Sequence, residues 1–276
     1  MRAERTRLAA FTAAAALLLP WHAWAQGAAG GDSGESGDYA VSYGPKRIIR
    51  DIKDYATAPL RWDGTDWMYF GGTLVAVEAA RQFDVRVRRQ FTAGSPAALN
   101  GKDTHSLQDA LPAAAAVLAT GLYATLIDDA AGRAETWSML EAGALASTTG
   151  LMLKIAAGRQ RPDQTVDPNR WRANGGSFPS LHVTAAFAIG TVLAESGNDR
   201  YRWIRRFLGY GIAAATGYER LKHNAHWLSD TVAGAALGMA SAHFVLHREY
   251  RREPAAAWTL LPIDRGVMLA YSVPLH

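Results

Sequence analysis

The chain has 276 residues, 49% apolar and 20% charged, enough for one large domain or two small ones around a sizeable core, and too apolar to be wholly disordered. It contains no cysteine, which excludes disulfides, zinc–thiolate sites, iron–sulfur clusters and a cysteine nucleophile. A net charge of +4 and a pI near 9.4 would suit a nucleic-acid partner, but part of that charge lies in a segment expected to be removed.

That segment is the N-terminus. Arg2, Arg5 and Arg7 precede an uncharged run from Leu8 to Leu19, followed by Pro20 and the small-x-small triplet Ala23-Trp24-Ala25. A positive start, a short apolar run and a cleavage site are the three parts of a secretory signal peptide, and the run is too short to span a bilayer. Loss of residues 1–25 leaves 26 basic against 24 acidic residues, a net of +2. An exported, periplasmic protein with no nucleic-acid partner is expected.

Residues 26–44 begin QGAAGGDSGESGD and predict a flexible linker. Residues 45–104 read as an N-terminal helical extension. Its first helix sets Ile48, Ile49, Ile52 and Tyr55 on one face and ends near Pro59. Apolar periodicity then predicts six helices, at 67–82, 110–127, 138–158, 182–195, 203–218 and 228–247. In the tail, residues 249–276, short apolar runs flank Asp264-Arg265-Gly266 and predict a small β-hairpin. The fold class is all-α.

Ala110 to Ile127 is the strongest candidate for a membrane span, with eighteen uncharged residues. The helices at 67–82 and 138–158 carry Glu78, Arg81, Glu141 and Lys154, and the mean hydropathy is only −0.09. These features favour a buried bundle over spanning helices, with membrane contact left open.

The chemistry lies between residues 154 and 230, in three pieces. Lys154 and Arg161 are seven residues apart just before Pro162, which predicts two cations on one face near a helix end, with something anionic between them. Ser177-Phe178-Pro179-Ser180-Leu181-His182 runs into an apolar stretch and reads as a helix start, whose free N–H groups can hold phosphate oxygens. Arg220, His226 and Asp230 follow, with His226 and Asp230 at helical i, i+4 spacing, where a carboxylate can fix an imidazole tautomer. Each piece alone has an ordinary reading, as a solvated helix edge, an N-cap or a surface pair. All three in this order within 77 residues is a far rarer coincidence.

Together, K-x6-RP, PS-x-H and R-x5-H-x3-D resemble the signature of the type 2 phosphatidic acid phosphatase and vanadium haloperoxidase superfamily. Trp227-Leu-Ser-Asp230-Thr-Val-Ala-Gly234 resembles the segment after that family's last histidine. The resemblance covers roughly residues 105–248 and implies a six-helix bundle core and metal-independent phosphoester chemistry through a phosphohistidine. It implies that His226 is the nucleophile, Asp230 its orienting carboxylate and His182 the general acid and then base. Lys154, Arg161, Ser180, Leu181 and Arg220 would be the phosphate cradle. Three fixed cations already supply the charge balance, so neither a metal nor a cofactor is called for. Two positions depart from the family. Leu181 replaces the usual glycine, which keeps the N–H donor but would narrow the pocket. Glu219 replaces a serine and would place a carboxylate near Arg220. His223 could also be presented near the site, although a supporting role suits it better.

Between the first two motifs, residues 163–176 are polar and include Arg170, Trp171 and Arg172, either a surface loop or a pocket rim that touches the substrate beyond its phosphate. The expected enzyme is an acid or lipid phosphatase acting on a phosphorylated small molecule or a lipid head group. Head-group phosphotransfer and vanadate-dependent halide oxidation are the alternatives, and the first is favoured by the resemblance of PSLH to some inositol-phosphoryl transferases.

Overall fold

Helix starts and stops follow local chemistry in the computed structural model, which describes residues 45–92, 106–127, 129–196, 201–250, 257–263 and 266–272. The expected signal peptide and linker lie outside the described residues. Helix α1, Pro45–Thr57, passes into a 3-10 turn at Ala58–Arg61. Tyr55 anchors it to the last helix by hydrogen-bonding Ser241 (2.7 Å) and meeting Phe244 edge-on, while Ile52, expected on the same buried face, is 53% exposed. Helix α2, Gly64–Arg81, starts with a reciprocal cap between Asp63 and Asp66.

Helix α3, Asp84–Thr92, has no counterpart in the expected pattern. Its sequence, DVRVRRQFT, offers only Val85, Val87 and Phe91 as apolar residues, too few to mark a face by periodicity. Helices α4, Ser106–Leu126, and α5, Ala130–Ala157, follow. Helix α5 begins eight residues before the expected start, at an Asp129 side chain that accepts the Ala131 N–H. It stops at Gly158, which adopts the left-handed conformation (φ 55°) and donates its N–H to the Lys154 carbonyl.

Helices α6, Leu181–Glu195, α7, Arg202–Lys222, and α8, Leu228–Tyr250, complete the bundle. Strands β1, Ala257–Ile263, and β2, Gly266–Ser272, pair antiparallel from Ala257↔Ser272 to Ile263↔Gly266, around the predicted turn. The fold is all-α with this hairpin appended.

Helix α6 is the central element and packs against α4, α5, α7 and α8. Its approach is closer than ordinary side chains allow. A Cβ on Gly190 would fall 2.4 Å from the Gly209 carbonyl oxygen of α7, and one on Gly238 of α8 would fall 2.4 Å from the Thr184 carbonyl oxygen. Alanine and glycine, which insert weakly into membranes, therefore serve here to draw backbones together. Val117, Met139, Ala142, Ala146, Ala188, Val192, Ala242 and Val245 form one contiguous core.

The outer faces differ from the expectation of a bundle whose helices bury their apolar residues. Met68 and Val75 on α2, Leu118 and Leu126 on α4, and Trp203 and Phe207 on α7 are all more than 60% exposed. Among the described residues, no helix is long and apolar enough to cross a membrane.

Candidate active site

The close packing of α6 on α8 brings the three sequence pieces to one place. The Ser180 N–H, at the cap of α6, donates to the Asp230 carbonyl (3.1 Å), and the Ser177 hydroxyl donates to the Asp230 carboxylate (2.5 Å). His226 lies at the centre, 3% exposed, in the turn between α7 and α8. Burial is the main cause that holds its imidazole well below the usual histidine range. The positive charges of Lys154, Arg220 and Arg161, and then His182, add to it. One buried imidazole thus feels cations from the end of α5, the loop beyond it, and α6 and α7. Arg220 is itself fully buried near the end of α7.

Two expected spacings take a different form. Lys154 and Arg161 do not share a helix face two turns apart, because Gly158 ends α5 between them; Arg161 joins the site from the loop. Likewise, His226 and Asp230 are not one helical turn apart. Helix α8 begins at Leu228, so His226 precedes it, and Asp230 reaches back to accept the Trp227 N–H (2.9 Å) as the third residue of the helix. Asp230 Oδ2 stands 3.7 Å from His226 Nδ1, beyond hydrogen-bond distance. That carboxylate is fully buried, and burial raises its pKa more than its partners lower it.

Its strongest partner was not singled out from the sequence. Arg159 is fully buried and donates from Nη1 to Asp230 Oδ1 (2.6 Å) and to the Ser229 hydroxyl (2.8 Å). From Nη2 it donates to Asp84 Oδ2 (2.7 Å). Asp84 is equally buried and accepts both the Ser229 N–H (2.9 Å) and its hydroxyl (2.7 Å). Burial raises the Asp84 pKa against those contacts. The only signal in the sequence was the position of Arg159 directly after Gly158, and an arginine there reads equally well as solvent-facing.

The phosphate-cradle candidates take these places. Lys154 donates to the Gly176 carbonyl (2.5 Å). The Ser180 hydroxyl is fully buried and has no hydrogen-bond partner among the described residues. Leu181 is the first residue of α6 and does not need a positive φ, so leucine suits the backbone there. Its side chain reaches toward α5, where a Cβ on Gly150 would fall 2.8 Å from Leu181 Cδ2, so Gly150 makes room for it. His182 follows on the same turn.

Glu219 does not turn to Arg220. It faces Lys222 (3.1 Å) and His223 (3.4 Å) at the surface end of α7, which gives His223 a supporting place.

Residues 163–176 fold back on the end of α5. The Gln160 N–H donates to the Arg170 carbonyl and the Arg172 N–H to the Ala157 carbonyl. Trp171 stacks on the Arg159 guanidinium (4.6 Å) and meets Phe178 edge-on (5.3 Å), while the Arg170 and Arg172 side chains are exposed. The segment is thus a hydrogen-bonded rim beside Arg159. Among the described residues, no group of three or more histidine, aspartate or glutamate side chains is placed to hold a metal ion.

Comparison with known proteins matches residues 135–254 to the family model of the PAP2 superfamily. A lipid A 1-phosphatase of Porphyromonas gingivalis is 37% identical over 114 residues, which are 41% of this chain and 21% of that protein. The aligned part is thus about a fifth of that relative's length. A crystal structure of LpxE from Aquifex aeolicus aligns over 59% of this chain and 94% of its own, at 22% identity and a TM-score of 0.36.

Proposed function

We propose that this chain, whose residues 135–254 match the family model of the PAP2 superfamily, is a metal-independent phosphatase that hydrolyses phosphomonoesters or lipid (pyro)phosphates through a phosphohistidine. The observation that carries the reading is a buried, neutral imidazole, His226, set among Lys154, Arg161, Arg220 and His182 with a carboxylate behind it. Fixed cations around an uncharged nucleophile suit an anionic electrophile, and phosphate is the anion that three such cations neutralise while it is attacked.

In the first step, His226 Nε2, the nitrogen away from Asp230, attacks phosphorus in line. The phosphorus–oxygen bond to the leaving group breaks, and His182 gives that oxygen its proton. Lys154, Arg161 and Arg220 hold the equatorial oxygens, where the planar fork of arginine fits two at once. The Ser180 hydroxyl and the Leu181 N–H complete the cradle; a buried hydroxyl with no partner among the described residues and a first-turn N–H with no acceptor within its own helix are suited to that task. The positive charge on the phosphorylated imidazole is balanced by Asp230. In the second step, His182, now neutral, takes a proton from water, whose oxygen attacks phosphorus. The phosphorus–nitrogen bond breaks, returning neutral His226 and free phosphate.

The substrate class proposed is a lipid head group. The relative is named a lipid A 1-phosphatase. Leu151, Met152, Leu153 and Ile155, in the same stretch of α5 as Lys154, are exposed, apolar surface suited to contact with a lipid layer. The signal-like N-terminus supports export to the periplasm. Residues 105–248 are proposed as the catalytic domain.

The test is phosphate release by the purified protein in excess chelator from an aryl phosphate, phosphatidate, undecaprenyl diphosphate and lipid A, with His226→Ala alongside. Metal-independent turnover that vanishes in the variant is expected, with a lipid phosphate preferred. Turnover unchanged in His226→Ala would overturn the nucleophile assignment.

A further inference from the structure

Helix α3 lies wholly before the segment that matches the family model, yet it and the residues around it brace the loop after Lys154 at three points. Arg81, at the end of α2, donates to Asn169 Oδ1 (2.7 Å), Asp84 accepts from Arg159 (2.7 Å), and Arg88 donates to the Pro162 carbonyl (3.1 Å). The outer two contacts stop at the loop. The middle one continues inward, because Arg159 and Ser229, both held by Asp84, are the groups beside the Asp230 carboxylate.

We propose that Asp84 is a positioning residue for phosphoryl transfer: by fixing Arg159 and Ser229 it aims the Asp230 carboxylate at His226, which makes helix α3 part of the working site. The inference rests on the phosphatase reading above.

A buried ion cluster is a poor device for stability alone, since apolar groups of similar volume often serve as well or better. What the cluster supplies is direction. Asp230 Oδ1 accepts from Arg159 while Oδ2 accepts from the Ser177 hydroxyl and the Trp227 N–H, so that guanidinium is one of three contacts that set where Oδ2 stands relative to His226 Nδ1, now 3.7 Å away. Without Asp84, Nη2 of Arg159 loses its carboxylate and the guanidinium is left on the Pro168 carbonyl, Ser229 and Asp230, which loosens its hold on the Asp230 carboxylate. Supporting contacts of this kind typically change activity by about 10- to 100-fold.

The experiment measures kcat, KM and their pH dependence for wild type, Asp84→Asn, Arg81→Ala and His226→Ala in the full chain, each normalised to folded protein by near-UV circular dichroism. Asp84→Asn is expected to lower kcat about 10- to 100-fold with KM within about twofold. The acidic limb of its profile should move to lower pH, because a negative charge has gone from behind His226. Around that imidazole, Lys154 and Arg161 face from the α5 end, His182 from α6, Arg220 from α7 and Asp230 from α8, with Arg159 and Asp84 beyond. Arg81→Ala, which loosens the brace without touching the inner contact, is expected to stay within about twofold of wild type. If Asp84→Asn does not fold, Ser229→Ala removes one shared hydroxyl and should show the same pattern at smaller size.

Wild-type kcat and an unmoved limb in folded Asp84→Asn, with His226→Ala inactive, would overturn this inference and leave the phosphatase reading standing. A wild type inactive on every substrate would instead overturn the reading and the inference together.

Discussion

Two polar clusters meet at His226 and Asp230, and they are built in opposite ways. Behind the pair, Asp84, Arg159, Ser229, Ser177 and Asp230 form a buried network in which the carboxylates and the arginine are partnered within 3 Å. In front of it, Lys154, Arg161, Arg220 and His182 gather around one imidazole, beside a buried hydroxyl that has no partner among the described residues. A closed network holds a shape, whereas an excess of one charge beside an unused donor holds a place for a ligand of the other sign. Under the proposed function, the rear cluster is the one that orients and the front cluster the one that meets substrate.

The largest effect should come from the nucleophile itself. His226→Ala is expected to lower kcat by about 10^4-fold or more with little loss of fold, as read by steady-state phosphate release. The rear cluster should answer in stability. Arg159→Met leaves Asp84 and Asp230 buried without their cation and is expected to cost about 3 to 5 kcal/mol in chemical unfolding. The front cluster should answer in rate. Arg220→Lys keeps the charge but loses the planar fork, with a fall in kcat of about 10^2-fold and an unchanged unfolding midpoint. If the two variants exchanged these signatures, the division of labour would be wrong.

Acidity separates the clusters further. Burial and the neighbouring cations favour neutral His226, so kcat/KM should hold its plateau as pH falls through 6.5 instead of following an ordinary imidazole. Folding carries a related sign. His243, partly buried on α8 and held at about 4, takes up its proton in the unfolded chain near 6.5 but in the folded one only near 4. Its contribution is therefore complete above pH 6.5 and is lost on the order of 3 kcal/mol as pH falls toward 4. Wild type should show that loss relative to His243→Gln in unfolding measured across the window. The smallest effect belongs at the rim of both clusters. Glu219→Ser removes an exposed pair with Lys222 and His223 and should leave kcat within about twofold.

The front cluster was legible in the sequence and the rear one largely was not, for a physical reason. Lys154, Arg161, Ser180, His182, Arg220, His226 and Asp230 lie at short, fixed spacings on neighbouring elements, so their pattern survives in one dimension. Asp84 and Arg159 are 75 residues apart and meet only because α3 docks on the loop after α5. Nothing in DVRVRRQFT marks its first residue as buried. The long helices were equally legible from apolar periodicity, including the six predicted ones and the terminal hairpin turn. Spacing misled at Arg161 and His226, where a glycine stop and a late helix start break the helical register that i+7 and i+4 suggest.

The most direct test of the account is to trap the covalent intermediate. The full chain turning over a radiolabelled phosphomonoester would be quenched in alkali within milliseconds, which preserves phosphohistidine, and the labelled peptide mapped. The account predicts label on the His226 imidazole, absent from His226→Ala and, with a nitrophenyl phosphate whose leaving group needs no proton, accumulating in His182→Ala, where water is no longer activated. Label on His182 instead, or full turnover with no labelled enzyme at any quench time, would contradict it.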